Sequence, residues 1–200
     1  VGASRMILND KHKYLIAMLR AVQNGYELPE IITEDEYNDI KANRDRDVIL
    51  SGFVGFACSF GGKWFDTYAR SRGEIVNYAS RAKRSLLQKM APLKNAEFLC
   101  ADYREVTIPS GAVIYADPPY ANTCGYSVGK FDSAVFWNEM RKLAREGHTV
   151  FVSEENAPED FACVWEKEVP RSINSYGEKR KHTSEKLFVL EYSKAKEGAV

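Results

Sequence analysis

The residues best suited to chemistry in this chain are Asp117, Pro118, Pro119 and Tyr120. Asp117 offers a carboxylate acceptor. Two consecutive prolines fix φ and carry no backbone N–H, so their carbonyls are rigidly presented acceptors. Tyr120 adds an aromatic face. An exocyclic amine on a heterocycle has two N–H donors and a lone pair delocalised into the ring. The Asp117 carboxylate and the Pro118 carbonyl match those two donors. Holding both draws the nitrogen towards tetrahedral geometry and leaves its lone pair aimed at a methyl donor. Such a site works by orientation and preorganised electrostatics, with no covalent intermediate. Tyr120 would stack on the base, which must leave a duplex to be reached.

These residues need a scaffold that ends a strand at Asp117. Residues 112–116 (Ala-Val-Ile-Tyr-Ala) form a continuous apolar run, the pattern of a parallel strand covered on both faces. Ligands of open α/β sheets bind beyond the carboxyl ends of such strands. Further strands are predicted at 5–8, 96–100, 149–153 and 186–192. Helical spacing covers 12–23, with Asn24-Gly25 as its stop. A second helix starts at a Thr33 cap, with Glu36 placed to complete a capping box, and runs towards Asp47. Amphipathic spacing predicts helices over 74–90 and 132–146, and a short one near 158–163.

Residues 51–72 interleave Gly52, Gly55, Gly61 and Gly62 with Phe53, Phe56, Phe60, Trp64, Phe65 and Tyr68. That is too much glycine for a stable helix and too many aromatics for a disordered linker. An ordered, functional loop is the expectation. Alternating strands and helices imply one α/β domain over 1–200, with a mostly parallel sheet, helices on both faces and residues 25–78 as a helical and loop insertion.

Asp-Pro-Pro-Tyr after a hydrophobic strand resembles the catalytic motif of amino-methyltransferases acting on DNA. Cytosine-directed members more often carry serine first and glutamine-directed enzymes asparagine, so Asp117 favours adenine. The resemblance extends over most of the chain to the Dam-type DNA adenine-N6 methyltransferases, in particular phage members. Ile7-Leu8-Asn9-Asp10-Lys11-His12 looks like their strand-and-acid element, which makes Asp10 a ligand of the ribose of S-adenosyl-L-methionine (AdoMet). Phe98-Leu99-Cys100-Ala101-Asp102-Tyr103 looks like the element whose aspartate binds the AdoMet adenine. Asp102 takes that role, with Tyr103 beside it and Asp117 also facing the cofactor. Residues 52–70 resemble a glycine- and aromatic-rich block of the phage members, and 122–131 would be a loop closing over the flipped base.

The resemblance implies a Rossmann-like AdoMet-dependent fold whose C-terminal strand, after Lys181, runs antiparallel and completes a seven-stranded sheet. The expected DNA-binding set is Lys63, Trp64, Arg70, Tyr126 and Lys130. Lys63 and Trp64 fit a phosphate and an unstacked base, and fit loop packing beside a solvent-facing charge equally well. Asp10 and Asp102 fit helix-capping and turn roles besides cofactor binding. Family members open with a lysine-bearing segment and a glycine-rich loop that cradles AdoMet. Neither precedes Asp10, which makes the chain an N-terminally truncated member. The alternative function is a catalytically impaired DNA-binding fragment or relative that has lost AdoMet capture.

Composition sets outer bounds. Hydrophobic residues make up 44% and charged residues 28%, as in ordinary globular proteins. No apolar run reaches the roughly 20 residues of a membrane span, and no signal-peptide pattern opens the chain, so a cytoplasmic monomer is expected. Cys58, Cys100, Cys124 and Cys163 form no paired spacing, which argues for reduced, mostly buried thiols and no metal. His12, His148 and His182 show no ligand spacing either. Net charge is zero. A double-stranded DNA partner therefore has to be met by local basic clusters, at 81–84 and 179–181, rather than by the total.

Overall fold

Caps decide where the first helices begin. Helix α1 (Lys13–Gln23) starts at His12, whose side chain accepts the Leu15 N–H, and stops at Asn24, followed by Gly25 at φ 86°. Helix α2 (Glu34–Ala42) starts at the full capping box read from the sequence, with Thr33 and Glu36 satisfying each other's backbone. It ends at Asn43, short of Asp47. Asp47 instead caps a third helix, α3 (Val48–Ala57), by accepting from the Ile49 and Leu50 N–H groups. Helix α4 (Tyr78–Met90) is capped by Asn77 and α5 (Ser133–Arg145) by Asp132.

The computed structural model describes residues 5–70, 77–119, 131–170 and 182–191. It divides into two compact units, Val1–Val106 and Thr107–Val200. Both mix helix and sheet, so the chain is a mixed α/β protein.

In the first unit, strands β1 (Ile7–Asn9) and β2 (Glu97–Leu99) pair in parallel. Helix α1 anchors them. Arg20 donates from Nε and Nη2 to the Phe98 carbonyl, and Gln23 donates to the Leu93 and Ala96 carbonyls leading into β2. The core beneath joins Ile16, Met18 and Val22 of α1 to Tyr37 of α2, Phe53 and Val54 of α3, and Phe98 of β2. Residues 25–57 therefore help build this core rather than standing apart from it.

Helix α3 corrects the loop expected over its length. Gly52 and Gly55 are not breakers there but contact points. A Cβ on Gly52 would lie 2.2 Å from the Tyr14 carbonyl oxygen of α1, and one on Gly55 would lie 2.4 Å from the Trp64 ring. Close packing outweighs the roughly 1 kcal/mol helix penalty of each glycine.

In the second unit the order is β3-β4-β6-β5. Strands β3 (Val113–Ala116) and β4 (Thr149–Ser153) are parallel and joined through α5, while β6 (His182–Leu190) runs antiparallel to β4 and to β5 (Phe161–Pro170). Helix α5 buries Phe136, Trp137 and Met140, and Trp137 meets Phe161 edge-on at 4.7 Å. Arg141 grips Asp160 through two hydrogen bonds, which fixes the start of β5.

One sequence expectation changes in this unit. Residues 161–163 begin a strand, not a helix. A register shift between Cys163 and Trp165 breaks the alternation that would have announced it. Within this unit Val113 and Tyr115 of β3, which pair with Thr149 and Phe151, are exposed, whereas Val150 and Val152 of β4 are buried. Across the two units the described residues hold six strands, two in the first unit and four in the second. Among the described cysteines only Cys58 is buried, and burial pushes its thiol up to about 11; Cys100 and Cys163 are exposed.

Candidate functional site

The expected site residues fall at strand ends, some in each unit. In the first unit, the carboxyl ends of β1 and β2 lie side by side. The Asn9 side chain clamps them, donating to the Ala101 carbonyl at 3.1 Å and accepting the Ala101 N–H at 3.1 Å. The Asp10 N–H donates to the Leu99 carbonyl at 3.2 Å. The next residues along each chain are therefore held as neighbours.

Asp10 is exposed and accepts the His12 N–H at 2.6 Å. The cap of α1 is His12, not Asp10. Burial lowers the His12 pKa, against a smaller upward pull from Asp10, so the ring is neutral with Nδ1 as acceptor.

Asp102 is more heavily committed. Its carboxylate accepts Arg104 Nε and Nη2, both at 2.8 Å, the Arg104 N–H at 3.2 Å and Lys11 Nζ at 3.2 Å. The Arg104 guanidinium is the main reason this carboxyl sits well below the usual carboxylate range, with Lys11 adding to it. Arg104 also lies 5.7 Å over the Tyr103 ring. Neither Lys11 nor Arg104 stood out in the sequence. The only signal was a basic residue one position after Asp10 and two after Asp102.

In the second unit, Asp117 follows directly on β3, and Pro118 is buried with Pro119 half-buried after it. Asp117 keeps exposed surface, yet its pKa is raised, first by desolvation of the carboxylate and then by the charge of Glu185 on β6. Register explains the second cause. Ala116 pairs with Val152 and Ser153 with Leu187, which brings residue 185 to the same end of the sheet as Asp117. Glu154, at the end of β4, is buried and its Oε2 accepts the Glu155 N–H at 2.7 Å. Glu185 was missed because its place depends wholly on this antiparallel pairing. Tyr120, Tyr126 and Lys130 lie outside the described residues, as do residues 122–130 of the loop expected over 122–131.

The remaining expected DNA contacts sit in the first unit and differ among themselves. Lys63 is exposed and forms no ion pair among the described residues. Arg70 is bound through Nε and Nη2 to the Glu34 carboxylate. Trp64 is half-buried, with its ring 4.3 Å from His12, 4.9 Å from Tyr14, 4.9 Å from Phe56 and 4.7 Å from Phe65. A shallow cavity of about 280 Å³ lies between α2 and residues 66–70, lined by Tyr37, Lys41, Asp66 and Arg70 among others. It shares no residue with the strand-end acids, and Lys41 is already bound to the Asp66 carbonyl.

The described residues contain no group of three His, Cys, Asp or Glu side chains placed to hold a metal, and none of their helices is long and apolar enough to cross a membrane. Neither the protein-family models nor the curated proteins provide a match to this chain.

Proposed function

We propose that the protein is an AdoMet-dependent DNA methyltransferase that acts on the exocyclic N6 amine of a flipped adenine, built on a Rossmann-like domain. The observation that carries this reading is Asp117-Pro118-Pro119 at the carboxyl end of a parallel strand, with an aspartate whose charged form is destabilised there. Perturbed carboxylates cluster at functional sites, and a strand end is where ligands of open α/β sheets bind. The Asp117 carboxylate gains stabilisation when an N–H donor from substrate arrives.

Asp117 accepts one hydrogen of the target amine and the Pro118 carbonyl accepts the other. The two proline rings hold these acceptors without competing backbone donors. Asp117 thereby offsets the positive charge that grows on the nitrogen as the methyl group is transferred.

The acids of the first unit suit the cofactor by their donor requirements. Asp10, exposed at the end of β1, would accept ribose hydroxyls, and Asp102, one strand over, would accept an adenine amine. AdoMet supplies the electrophilic methyl group when bound. Arg104 and Lys11 hold the Asp102 carboxylate in the meantime and must release part of it to the ligand.

That same saturation of Asp102 favours a second reading, a DNA-binding relative without AdoMet capture. Calorimetry with AdoMet, followed by transfer of tritiated methyl to duplex DNA, separates the two. The enzyme reading expects AdoMet binding and tritium counts on the DNA, with those counts lost in Asp117→Ala. Duplex binding with no AdoMet heat, also in a chain extended at its N-terminus, would support the second reading instead.

A further inference from the structure

The sequence nominated Trp64 as the aromatic that meets DNA, but the structure exposes a different ring. Phe60 is 56% exposed and stacks on no other ring among the described residues. It opens a tight turn, Phe60–Gly62, in which Gly61 has φ 64° and Gly62 φ 69°. Nothing lies within 4 Å of a Cβ built on Gly62, so glycine is needed there for its backbone conformation and not for space.

The base of the turn is fixed from several directions. Ser59 is buried, shares a 2.8 Å hydrogen bond with the Tyr37 hydroxyl and donates from Oγ to the Gly55 carbonyl at 2.8 Å. The Phe60 N–H donates to the Thr67 carbonyl at 2.8 Å, and the Phe65 N–H to the Gly55 carbonyl at 2.9 Å. Trp64 locks against Gly55, where a side chain would collide with it. Phe65 is buried at φ 43°, a conformation that costs a non-glycine residue about 1–3 kcal/mol.

The turn is firmly anchored at its base and carries a large apolar ring out into water. Beside that ring stands Lys63, exposed and unpaired among the described residues, whereas Arg70 is neutralised by Glu34. We propose that the turn is a contact to duplex DNA. Phe60, not Trp64, is the aromatic that wedges against the bases, and Lys63 meets a neighbouring phosphate. The chemistry fits: apolar wedges insert between base steps and partly unstack them, and lysine meets the backbone as a point charge. The inference rests on the DNA reading given above. It adds the aromatic that would fill the space left when a base is extruded.

The test uses the full chain and two fluorescein-labelled duplexes of the same mixed sequence, one intact and one carrying a single abasic site. Fluorescence anisotropy is followed across a salt series. The wild-type chain should prefer the abasic duplex. Phe60→Ala should lose that preference and bind the abasic duplex about tenfold more weakly, the loss of one aromatic stack, while Phe60→Trp retains both. Lys63→Ala should keep the preference and flatten the salt dependence by about one phosphate contact. Melting temperatures equal to wild type confirm that these exposed changes leave the fold intact. A wild-type chain that binds neither duplex overturns the inference, and so do Phe60→Ala and Lys63→Ala chains with unchanged affinity, preference and salt slope. Binding with the expected pattern but no methyl transfer leaves the contact standing and sinks the enzyme reading alone.

Discussion

Asp102 and Asp117 each follow a short strand of a parallel pair, yet their surroundings treat the same carboxyl group in opposite ways. Arg104 and Lys11 stabilise the charge of Asp102 and hold its pKa far down. Desolvation and Glu185 destabilise the charge of Asp117 and raise its pKa. A carboxylate that the fold satisfies can be a structural clamp as well as a ligand. One that the fold leaves at a disadvantage would gain from a donor supplied from outside. Under the proposed function Asp117 is the acid that chemistry would use, and at Asp102 a ligand would have to compete with Arg104 and Lys11.

The strongest way to break this contrast is Asp117→Ala. Under the proposed function it should lower methyl transfer by roughly a hundredfold or more, the scale of losing one preorganised transition-state contact. Incorporation of tritiated methyl reads the loss directly, and retained turnover would remove Asp117 from its role.

Packing in the first unit provides the next largest effect, this time on stability. Gly55→Ala should destabilise the protein by about 1–3 kcal/mol, because the new Cβ meets the rings of Trp64 and Phe65. Denaturant unfolding measures it. A neutral outcome would mean that the Trp64 cluster is loose, and the fixed base of the Phe60 turn would lose its support.

Acid dependence sharpens the contrast between the two acids. The folded state binds the Asp117 proton more tightly than the unfolded chain does, so the ionised side chain costs stability at neutral pH and the cost vanishes in acid. Asp117→Asn should raise the melting temperature at neutral pH, with the gain shrinking as pH falls through the carboxylate range. Asp102 has the opposite sign. Its contribution is present above the ordinary aspartate pKa and is lost only as pH falls towards its depressed one. Arg104→Ala should weaken that contribution, make the protein less resistant to acid, and tighten AdoMet binding if Arg104 competes for Asp102. Melting curves across pH, with calorimetry on the same variant, check both effects.

Capping provides the smallest test. Thr33→Ala should cost about 1 kcal/mol, since Thr33 and Glu36 satisfy two helix-end donors. Chemical denaturation would reveal it, and a larger loss would show that α2 depends on its cap more than on the buried Tyr37.

What the sequence determined by itself is what near neighbours control. The Thr33–Glu36 box, the Asn24-Gly25 stop, the helix over 132–146 and the bounds of β4 were all readable, because each depends on residues within one turn or one element. So was the placement of Asp117 immediately after a strand. Tertiary structure decided the rest. Gly52 and Gly55 belong in a helix because Tyr14 and Trp64 come close to them, from 38 and 9 residues away in sequence. Residues 161–170 are a strand because β6 pairs with them around a bulge. Asp102 is neutralised partly by Lys11, 91 residues earlier, and Asp117 is opposed by Glu185 through strand register. Propensity counts only the cost of an unfavourable residue along its own segment. The compensating contact, or the opposing charge, arrives from a distant part of the chain and exists only once the fold has formed.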